Sequence, residues 1–385
     1  MPENWQIGGF GLYVHWPFCA SKCPYCDFNS HVTAKIDQSE WAEAYKAEIQ
    51  RYATQTPDRV LSSIFFGGGT PSLMDPQTVD SIIQAAQKAW TFANDIEITL
   101  EANPSSIEME NFAGYKAAGV NRVSMGIQAL NETDLRALGR LHSVSEAKKA
   151  LTLANSIFDR VSFDLIYARQ NQTLKSWEAE LNEAIGFGPT HMSLYQLTIE
   201  PDTAFGARHK AGKLLGLPRD ELATDMYFLT QEITKHAGLP SYEVSNHAQR
   251  GQESRHNMIY WRGGDWVGIG PGAHGRLTLG STRFATATPL QPNQWLATAS
   301  DQGGEILRDA LEADEIGTEY LLMGLRTVEG IDLKRLKSIS GMSIEQSKIN
   351  GLLEIGLIEL SNDRLWATES GRPILNGIIR ELMPD

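Results

Sequence analysis

The three cysteines of the 385-residue chain lie close together, as Cys19, Cys23 and Cys26 in a C-x3-C-x2-C pattern. An odd number excludes a complete set of internal disulfides, so the spacing indicates a metal-ligand cluster. Zinc, completed by His15 or His31, is one alternative, and inert thiols are another. A [4Fe–4S] cluster suits a single short loop better, because three thiolates hold three irons and leave the fourth iron open to another ligand.

The elements that position this loop are predicted from hydrophobic patterning. Six short β-type runs span residues 12–17, 64–66, 96–101, 122–128, 161–167 and 192–198. Amphipathic stretches between them predict helices at 41–52, 76–89, 107–117, 143–154 and 173–185. This alternation predicts a parallel sheet with right-handed crossovers. We therefore expect residues 1–205 to form an α/β fold, a partial (β/α)6 TIM-like barrel.

Each predicted strand ends in polar residues or glycine. These positions are Tyr13 and His15, Gly67-Gly68-Gly69-Thr70, Glu101, Gln128, Asp164 and Gln196. Because the carboxyl ends of barrel strands build the active site, the recurrence predicts site residues, although ordinary strand-end polarity is the alternative for any single position.

The remaining sequence predicts two further parts. Residues 206–305 form an extension that completes the core, with a helix at 220–236 and a glycine- and histidine-rich segment at 242–280. Within it, Gly268-x-Gly270-x-x-Ala273 lacks the following helix of a dinucleotide site, so we interpret it as a tight loop near a ligand, which His274 contacts. Residues 306–385 follow the order helix, helix, helix, hairpin, helix, which predicts a winged-helix-like α+β domain.

Charge and hydropathy exclude several classes of function. The chain has 34 Lys+Arg against 47 Asp+Glu, a net charge of −13 and a pI near 5.2, which argues against nucleic-acid binding. Residues 306–385 carry nine basic and fourteen acidic residues, so a redox-sensing DNA-binding regulator is disfavoured and duplex DNA should not bind at physiological salt. No membrane span or signal peptide is recognisable, and we expect a cytoplasmic protein rather than a membrane protein.

The cysteine motif and the glycine run Gly67–Ser72 together resemble the radical S-adenosylmethionine (SAM) superfamily. Within it, the chain resembles the oxygen-independent coproporphyrinogen III oxidases and HemW-type haem chaperones of porphyrin metabolism over nearly its whole length, on YVHWPFC, FFGGGTPS, LEANP, GIQ, LGRLH, DLIY and IEPDTAF. The resemblance implies that SAM chelates the open iron and that reduction of the cluster releases a 5′-deoxyadenosyl radical. It also implies SAM contacts at Tyr13, Phe28, Gly68, Gly69, Thr70, Glu101, Gln128, Arg140 and Asp164.

Two departures from the oxidase pattern favour the chaperone branch. Phe28 stands where the oxidases have a fourth cysteine, and the HNxxYW signature of the chaperones occurs at 256–261. The resemblance implies that His256 ligates haem iron, while Tyr260 and Trp261 cover the macrocycle. The expected function is transfer of haem to an acceptor such as a respiratory, membrane-associated haem protein, without coproporphyrinogen oxidase activity. The alternative is an enzyme that oxidatively decarboxylates two propionates of coproporphyrinogen III.

One loop departs from both patterns. After the DLIY stretch, related chains have Leu-Pro-Gly before Gln-Thr, whereas this chain has Ala168-Arg169-Gln170-Asn171. Because proline and glycine restrict and relax the backbone respectively, we expect an altered loop conformation beside the SAM site.

Overall fold

The computed structural model describes residues 4–33, 35–300 and 302–383, and most of the strands form one large sheet. The strands are β1 Phe10–Trp16, β2 Phe18–Cys19, β3 His31–Val32, β4 Val60–Gly68, β5 Thr91–Ala102, β6 Arg122–Gln128, β7 Arg160–Tyr167, β8 His191–Gln196, β9 Asn246–Ala248, β10 Asp265–Ile269, β11 His274–Leu279, β12 Thr282–Ala287, β13 Leu307–Ala310, β14 Ile331–Asp332, β15 Ile358–Ser361 and β16 Arg364–Ala367.

The helices cover the outer face of this sheet and form most of the carboxyl-terminal part. They are α1 Asn4–Gly8, α2 Gln38–Gln55, α3 Pro76–Ala89, α4 Ser106–Met109, α5 Phe112–Ala118, α6 Glu132–Ala137, α7 Val144–Ile157, α8 Leu174–Ile185, α9 Ala204–Lys210, α10 Asp220–His236, α11 Arg255–Trp261, α12 Pro292–Ala299, α13 Ala313–Gly324, α14 Leu333–Ser340, α15 Gln346–Glu354 and α16 Leu375–Leu382, with 3₁₀ turns at Pro71–Leu73 and Arg372–Ile374. No helix in the described ranges is long and apolar enough to cross a membrane.

The large sheet has the strand order β13-β12-β11-β10-β1-β4-β5-β6-β7-β8-β9. The strands from β10 to β8 in this order are parallel, whereas β9 and the β11–β13 meander are antiparallel. The predicted α/β class with a parallel sheet is therefore confirmed, and all six predicted strands are present.

The glycine- and histidine-rich segment at 242–280, for which the sequence predicted no strand or helix, contains regular structure. It contains β9, α11, β10 and β11, and β10 adds a seventh parallel strand beside β1. Gly268 lies inside β10, and the tight loop that we predicted is confined to the residues after it, where Gly270 and Gly272 have positive φ. A strand, not a helix, follows this loop, as expected.

The side chains of β1 point alternately into two environments. Phe10, Leu12 and Val14 are buried in the cluster that also contains Trp41 and Tyr45 of α2. The intervening residues of the strand face the barrel interior, because side chains alternate across a strand. The strand that carries the interior residues is thus packed on its other face against a hydrophobic layer between the sheet and the helices.

Local sequence signals account for the ends of several helices. Ser143 caps α7 in a reciprocal capping box with Glu146, and Asp37 accepts two N–H groups at the start of α2. The single helix predicted at 107–117 is instead two short helices, α4 and α5. Glu108 in α4 is buried, and its carboxylate accepts the N–H of Asn103 (2.8 Å).

The carboxyl-terminal part has a hydrophobic core of its own, formed by residues from Tyr320 to Leu382. Its order of α13, β14, α14, α15, a β15–β16 hairpin and α16 matches the predicted winged-helix-like arrangement. Asn362 and Asp363 at the hairpin turn have positive φ, as a tight hairpin requires. The domain boundaries remain a prediction, although β13 pairs with β12 in the large sheet and not with this domain.

Candidate functional site

A cavity of about 160 Å³ lies at the carboxyl ends of the parallel strands. It brings together most of the residues that the sequence predicted as site residues, although they come from five strands and three loops. These residues are Cys19, Cys23, Cys26, Phe28, Gly68, Gly69, Thr70, Glu101, Gln128, Arg140 and Asp164. Four of the predicted strand-end positions do not line the cavity: Tyr13, His15, Gly67 and Gln196. The role of the others as ligand contacts stays a prediction.

The cysteine loop is docked onto the glycine run by backbone hydrogen bonds. The N–H groups of Gly69 and Thr70 donate to the carbonyls of Trp16 (2.7 Å) and Phe18 (2.8 Å). A Cβ at Gly69 would lie 2.6 Å from the Phe18 carbonyl oxygen, and Gly68 has a φ of +109°. Glycine is therefore needed here for the approach of the chain to itself, in addition to any approach of a ligand.

All three cysteines are free thiols with partly accessible side chains. The hydroxyl of Thr70 donates to Cys19 Sγ (3.4 Å), and Arg140 Nη1 donates to Cys23 Sγ (3.5 Å). Burial raises the pKa of the Cys19 and Cys26 thiols. The loop thus presents three thiols to one cavity next to a permanent cation.

Arg140 lines the cavity, and both of its terminal nitrogens are hydrogen-bonded within the protein. Its Nη2 donates to Asn103 Oδ1 (2.5 Å) and to the Gly126 carbonyl (2.6 Å), whereas its buried Nε has no hydrogen-bond partner. An unpaired buried donor is costly, so this atom marks a place for an anionic or polar ligand. Sequence reasoning did not single out Asn103 or Gly126 individually, although both lie in the quoted LEANP and GIQ stretches.

Two carboxyl groups face the cavity from neighbouring parts of the sheet. Burial, and secondarily the charge of Asp164, raises the pKa of Glu101 to about 8, and burial raises the pKa of Asp164 to about 6. Glu101 Oε2 also accepts the N–H of Gly68 (3.3 Å). These acids are therefore poised to hold or release protons near neutral pH, and a cationic ligand would favour their ionised forms.

Gln128 adopts a left-handed backbone conformation with a φ of +70°. Its carbonyl accepts a hydrogen bond from Arg169 (3.3 Å), a buried residue of the unusual loop after β7. Ala168 and Asn171 of that loop also have positive φ, of 57° and 59°. The loop conformation thus uses two non-glycine residues in the left-handed region.

Tyr13 and His274 do not line the cavity. The hydroxyl of Tyr13 pairs with His15 Nδ1 (3.0 Å), and its ring stacks on Phe65 with centroids 6.3 Å apart. His274 is exposed at the start of β11. Their predicted ligand contacts stay predictions.

The HNxxYW residues lie in α11, and none of them lines the cysteine cavity. His256 is 1% exposed, its Nδ1 pairs with Ser63 Oγ (2.7 Å), and its Nε2 pairs with the Tyr260 hydroxyl (2.6 Å). Burial lowers the pKa of His256 to about 3. Both ring nitrogens are engaged, so iron ligation by His256 stays a prediction that would require one of these two hydrogen bonds to break. Trp261 lies on another face of the helix, packed near Tyr242.

Comparisons with known proteins agree with this geometry. The Radical SAM superfamily profile matches residues 13–184, and the HemN C-terminal domain profile matches residues 311–374. The chain is 37% identical to the heme chaperone HemW of Haemophilus influenzae and 34% identical to that of Escherichia coli, in each case over 97% of this chain and 98% of the relative. It is also 37% identical to the bovine radical S-adenosyl methionine domain-containing protein 1, mitochondrial, over 97% of this chain and 87% of that protein.

Among solved structures, the coproporphyrinogen III oxidase HemN from Escherichia coli superposes with a TM-score of 0.81, covering 97% of this chain and 90% of that one at 22% identity. This similarity establishes a shared fold. Because the sequence matches to the HemW proteins extend over almost the entire length of both chains, the chain belongs to the radical SAM superfamily and, within it, to the HemW family.

Proposed function

We propose that the chain is a haem chaperone that carries a [4Fe–4S] cluster and SAM and passes haem to an acceptor haem protein. Relatives named as heme chaperones over their full length support the proposal. The observation within the chain that carries it is Phe28, an apolar side chain 57% exposed at the rim of the cysteine cavity, in place of the fourth cysteine of the oxidase pattern.

The residues of the cavity fit an iron–sulfur cluster. The loop presents three free thiols, and soft thiolates are the usual ligands of such clusters. In the described residues, no three His, Cys, Asp or Glu side chains converge on a single ion position. A cube does not require this convergence, because each thiolate binds a different iron.

The polar wall of the same cavity fits SAM. The unpaired Nε of Arg140 suits a carboxylate, while the carboxyl groups of Glu101 and Asp164 suit an ammonium or ribose hydroxyls. Gly68 and Gly69 leave the backbone accessible next to the cluster loop. When bound together, the cluster and SAM supply one-electron reductive cleavage and a carbon radical, and the surrounding chain restricts access of water.

Haem is the proposed cargo, and α11 is the element that we expect to contact it. The acceptor is a haem protein, for which a respiratory, membrane-associated protein is the candidate. The overall fold also matches an oxidase, so oxidative decarboxylation of coproporphyrinogen III is the competing function. The two functions share the cluster and differ in the porphyrin that is handled.

One comparison tests the proposal. Reconstituted protein is incubated anaerobically with SAM, a reductant and coproporphyrinogen III, and products are separated by chromatography; the same preparation is titrated with haem in parallel. We expect stoichiometric haem binding, transfer to an apo-form of a haem protein, and no decarboxylated product. Turnover of coproporphyrinogen, or an absence of haem binding by the intact protein, would overturn the chaperone assignment.

A further inference from the structure

The inward face of α11 offers no open position for a large ligand. His256 and Tyr260 bond to each other, and the His256 ring stacks on Phe65 with centroids 5.1 Å apart. The N–H of His256 also donates to the buried carboxylate of Glu97 (3.2 Å). An iron ligand needs a free lone pair, and here both imidazole nitrogens are already paired.

The outward face of α11 borders a groove between the barrel and the carboxyl-terminal domain. Two cavities of about 590 Å³ and 670 Å³ adjoin there and share Ile7, Arg262, Val328 and Glu329. We call this the α11 groove; its apolar walls are formed by Ile7, Met258, Trp261, Val328 and Trp366. Each cavity falls within the size range of small-molecule sites.

Two of these apolar side chains are unusually accessible. Ile7 is 48% exposed and Val328 is 40% exposed, and both line the groove. Trp261 and Trp366 add aromatic surface at the same end. Apolar surface that is concentrated in a concave region is typical of a ligand site.

The charge of the groove is polarised along its length. The end beside the carboxyl-terminal domain has three guanidinium groups, Arg262, Arg335 and Arg364, against the single carboxylate of Glu329. At the other end, Arg250 and Arg255 are balanced by acidic side chains. One end is therefore cationic and the other electrically neutral.

The arginines at the cationic end are fixed by the protein. Arg262 pairs with Glu329 through Nε (2.9 Å) and Nη2 (2.5 Å), and Arg364 Nη1 donates to the Glu329 carbonyl (2.8 Å). Arg335 donates to the carbonyls of Arg262 (2.6 Å) and Gly263 (3.1 Å), and its buried Nε has no partner. The side chain of Arg364 is exposed and keeps further donors for a ligand.

We propose that the α11 groove binds haem as a planar porphyrin dicarboxylate, with the two propionates at the arginine end and the apolar edge toward Met258. The assignment rests on the proposed chaperone function and specifies its cargo site. The net charge of +2 at the arginine end matches two carboxylates, and the aromatic and aliphatic walls match the macrocycle.

This placement separates the cargo from the cysteine cavity. The groove includes Gly9, just before β1, whereas the cavity includes Cys19, just after it. A seven-residue strand lies between them, which corresponds to a distance on the order of 20 Å. Haem in the groove therefore does not touch SAM, and haem affinity should not depend on the cluster.

The test is a titration of the full chain with haemin and with haemin dimethyl ester, followed by Soret absorbance and tryptophan quenching. Arg364→Ala should weaken haemin binding by about three- to tenfold and leave binding of the ester unchanged. Arg380→Ala, an exposed arginine elsewhere in the same domain, is the matched control. Cys23→Ala, without a cluster, should bind haemin as tightly as the parent protein.

The possible results distinguish a failure of the groove assignment from a failure of the proposed chaperone function. If the parent protein binds no haemin, the chaperone function itself fails, and the groove assignment with it. If the parent protein binds haemin, but Arg364→Ala behaves like Arg380→Ala while His256→Ala or Tyr260→Phe loses binding, the groove assignment is overturned and the chaperone function stands. Thermal unfolding of each variant verifies that the fold is retained.

Discussion

Replacement of Arg169 by methionine should both destabilise the protein and weaken SAM binding. The Arg169 side chain is 5% exposed and lies between the ends of β6 and β7. It donates to the carboxylates of Glu180 (2.5 Å) and Asp134 (2.9 Å) and to the carbonyl of Ile166 (2.6 Å). Methionine keeps the apolar part of the side chain and removes every one of these donors.

The expected loss in the free energy of unfolding follows from the buried groups that lose Arg169 as a hydrogen-bond partner. Loss of one partner of a buried ion pair costs about 3–5 kcal/mol. Glu180 retains the N–H of Leu130 (2.6 Å) and the amide of Gln172 (3.3 Å), so we expect the lower end, about 3 kcal/mol. For a chain of this length that corresponds to a fall in Tm of about 4 °C.

The effect on SAM arises from Gln128, whose carbonyl is bound by Arg169 and whose left-handed backbone costs about 1–2 kcal/mol. Without that hydrogen bond, Gln128 should relax toward negative φ and withdraw from the cavity wall. We expect SAM affinity, measured by equilibrium dialysis on reconstituted protein, to fall about three- to tenfold, with partial recovery in Arg169→Lys.

Arg136→Met is the control, because Arg136 is an exposed arginine on the neighbouring helix α6. It should change neither Tm nor SAM affinity. A fall in Tm of less than about 1 °C in Arg169→Met would refute the energetic reasoning. Normal SAM affinity in a clearly destabilised Arg169→Met protein would refute the link to Gln128.

Three further predictions follow from the site and its support. Cys23→Ala should reduce the iron content after anaerobic reconstitution from about four per chain to less than about one, measured against Ser21→Ala; an unchanged iron content would exclude the cluster assignment. The pKa of Glu101 is raised to about 8 in the folded protein. The protonated carboxyl therefore contributes to the free energy of unfolding at pH values below the pKa of Glu101 in the unfolded chain, and this contribution is lost as the pH rises toward 8. Glu101→Gln should therefore flatten the fall in apoprotein Tm between pH 5 and 8, and identical profiles would contradict this. Asp265→Asn should cost about 3–5 kcal/mol in urea unfolding, because the buried Asp265 carboxylate pairs with Arg59 (2.7 Å) and Arg283 (2.8 Å); the exposed Asp95→Asn should cost less than about 1 kcal/mol, and equal costs would contradict the burial argument.

The elements of the fold that were predicted correctly are those whose signals lie within one continuous segment of the sequence. The strand β6, the helix α3 and the helix α10 have the predicted bounds, because each is a continuous hydrophobic pattern with its own start and stop signals. The positions at the strand ends converge because parallel strands meet at one edge of a barrel. No distant residue had to be identified for either inference.

The parts that sequence reasoning missed depend on partners far along the chain. The strand β10 is short and glycine-containing, and its place beside β1 is determined by pairing across more than 250 residues, as in Phe10 with Asp265. The environment of His256 is similar, since Ser63 and Glu97 come from β4 and β5. Local patterning contains no information about such contacts.

The HNxxYW motif illustrates how helical geometry divides a short signature between two environments. Because residues four apart share a helix face, His256 and Tyr260 point together into the barrel, where they bond to each other. Met258 and Trp261 lie on faces that border the groove. A motif interpreted as one ligand set therefore has an inner pair that packs in the barrel and other residues that line the groove proposed for haem. Substitutions of the inner pair should chiefly lower stability, whereas substitutions along the groove should chiefly lower haem affinity.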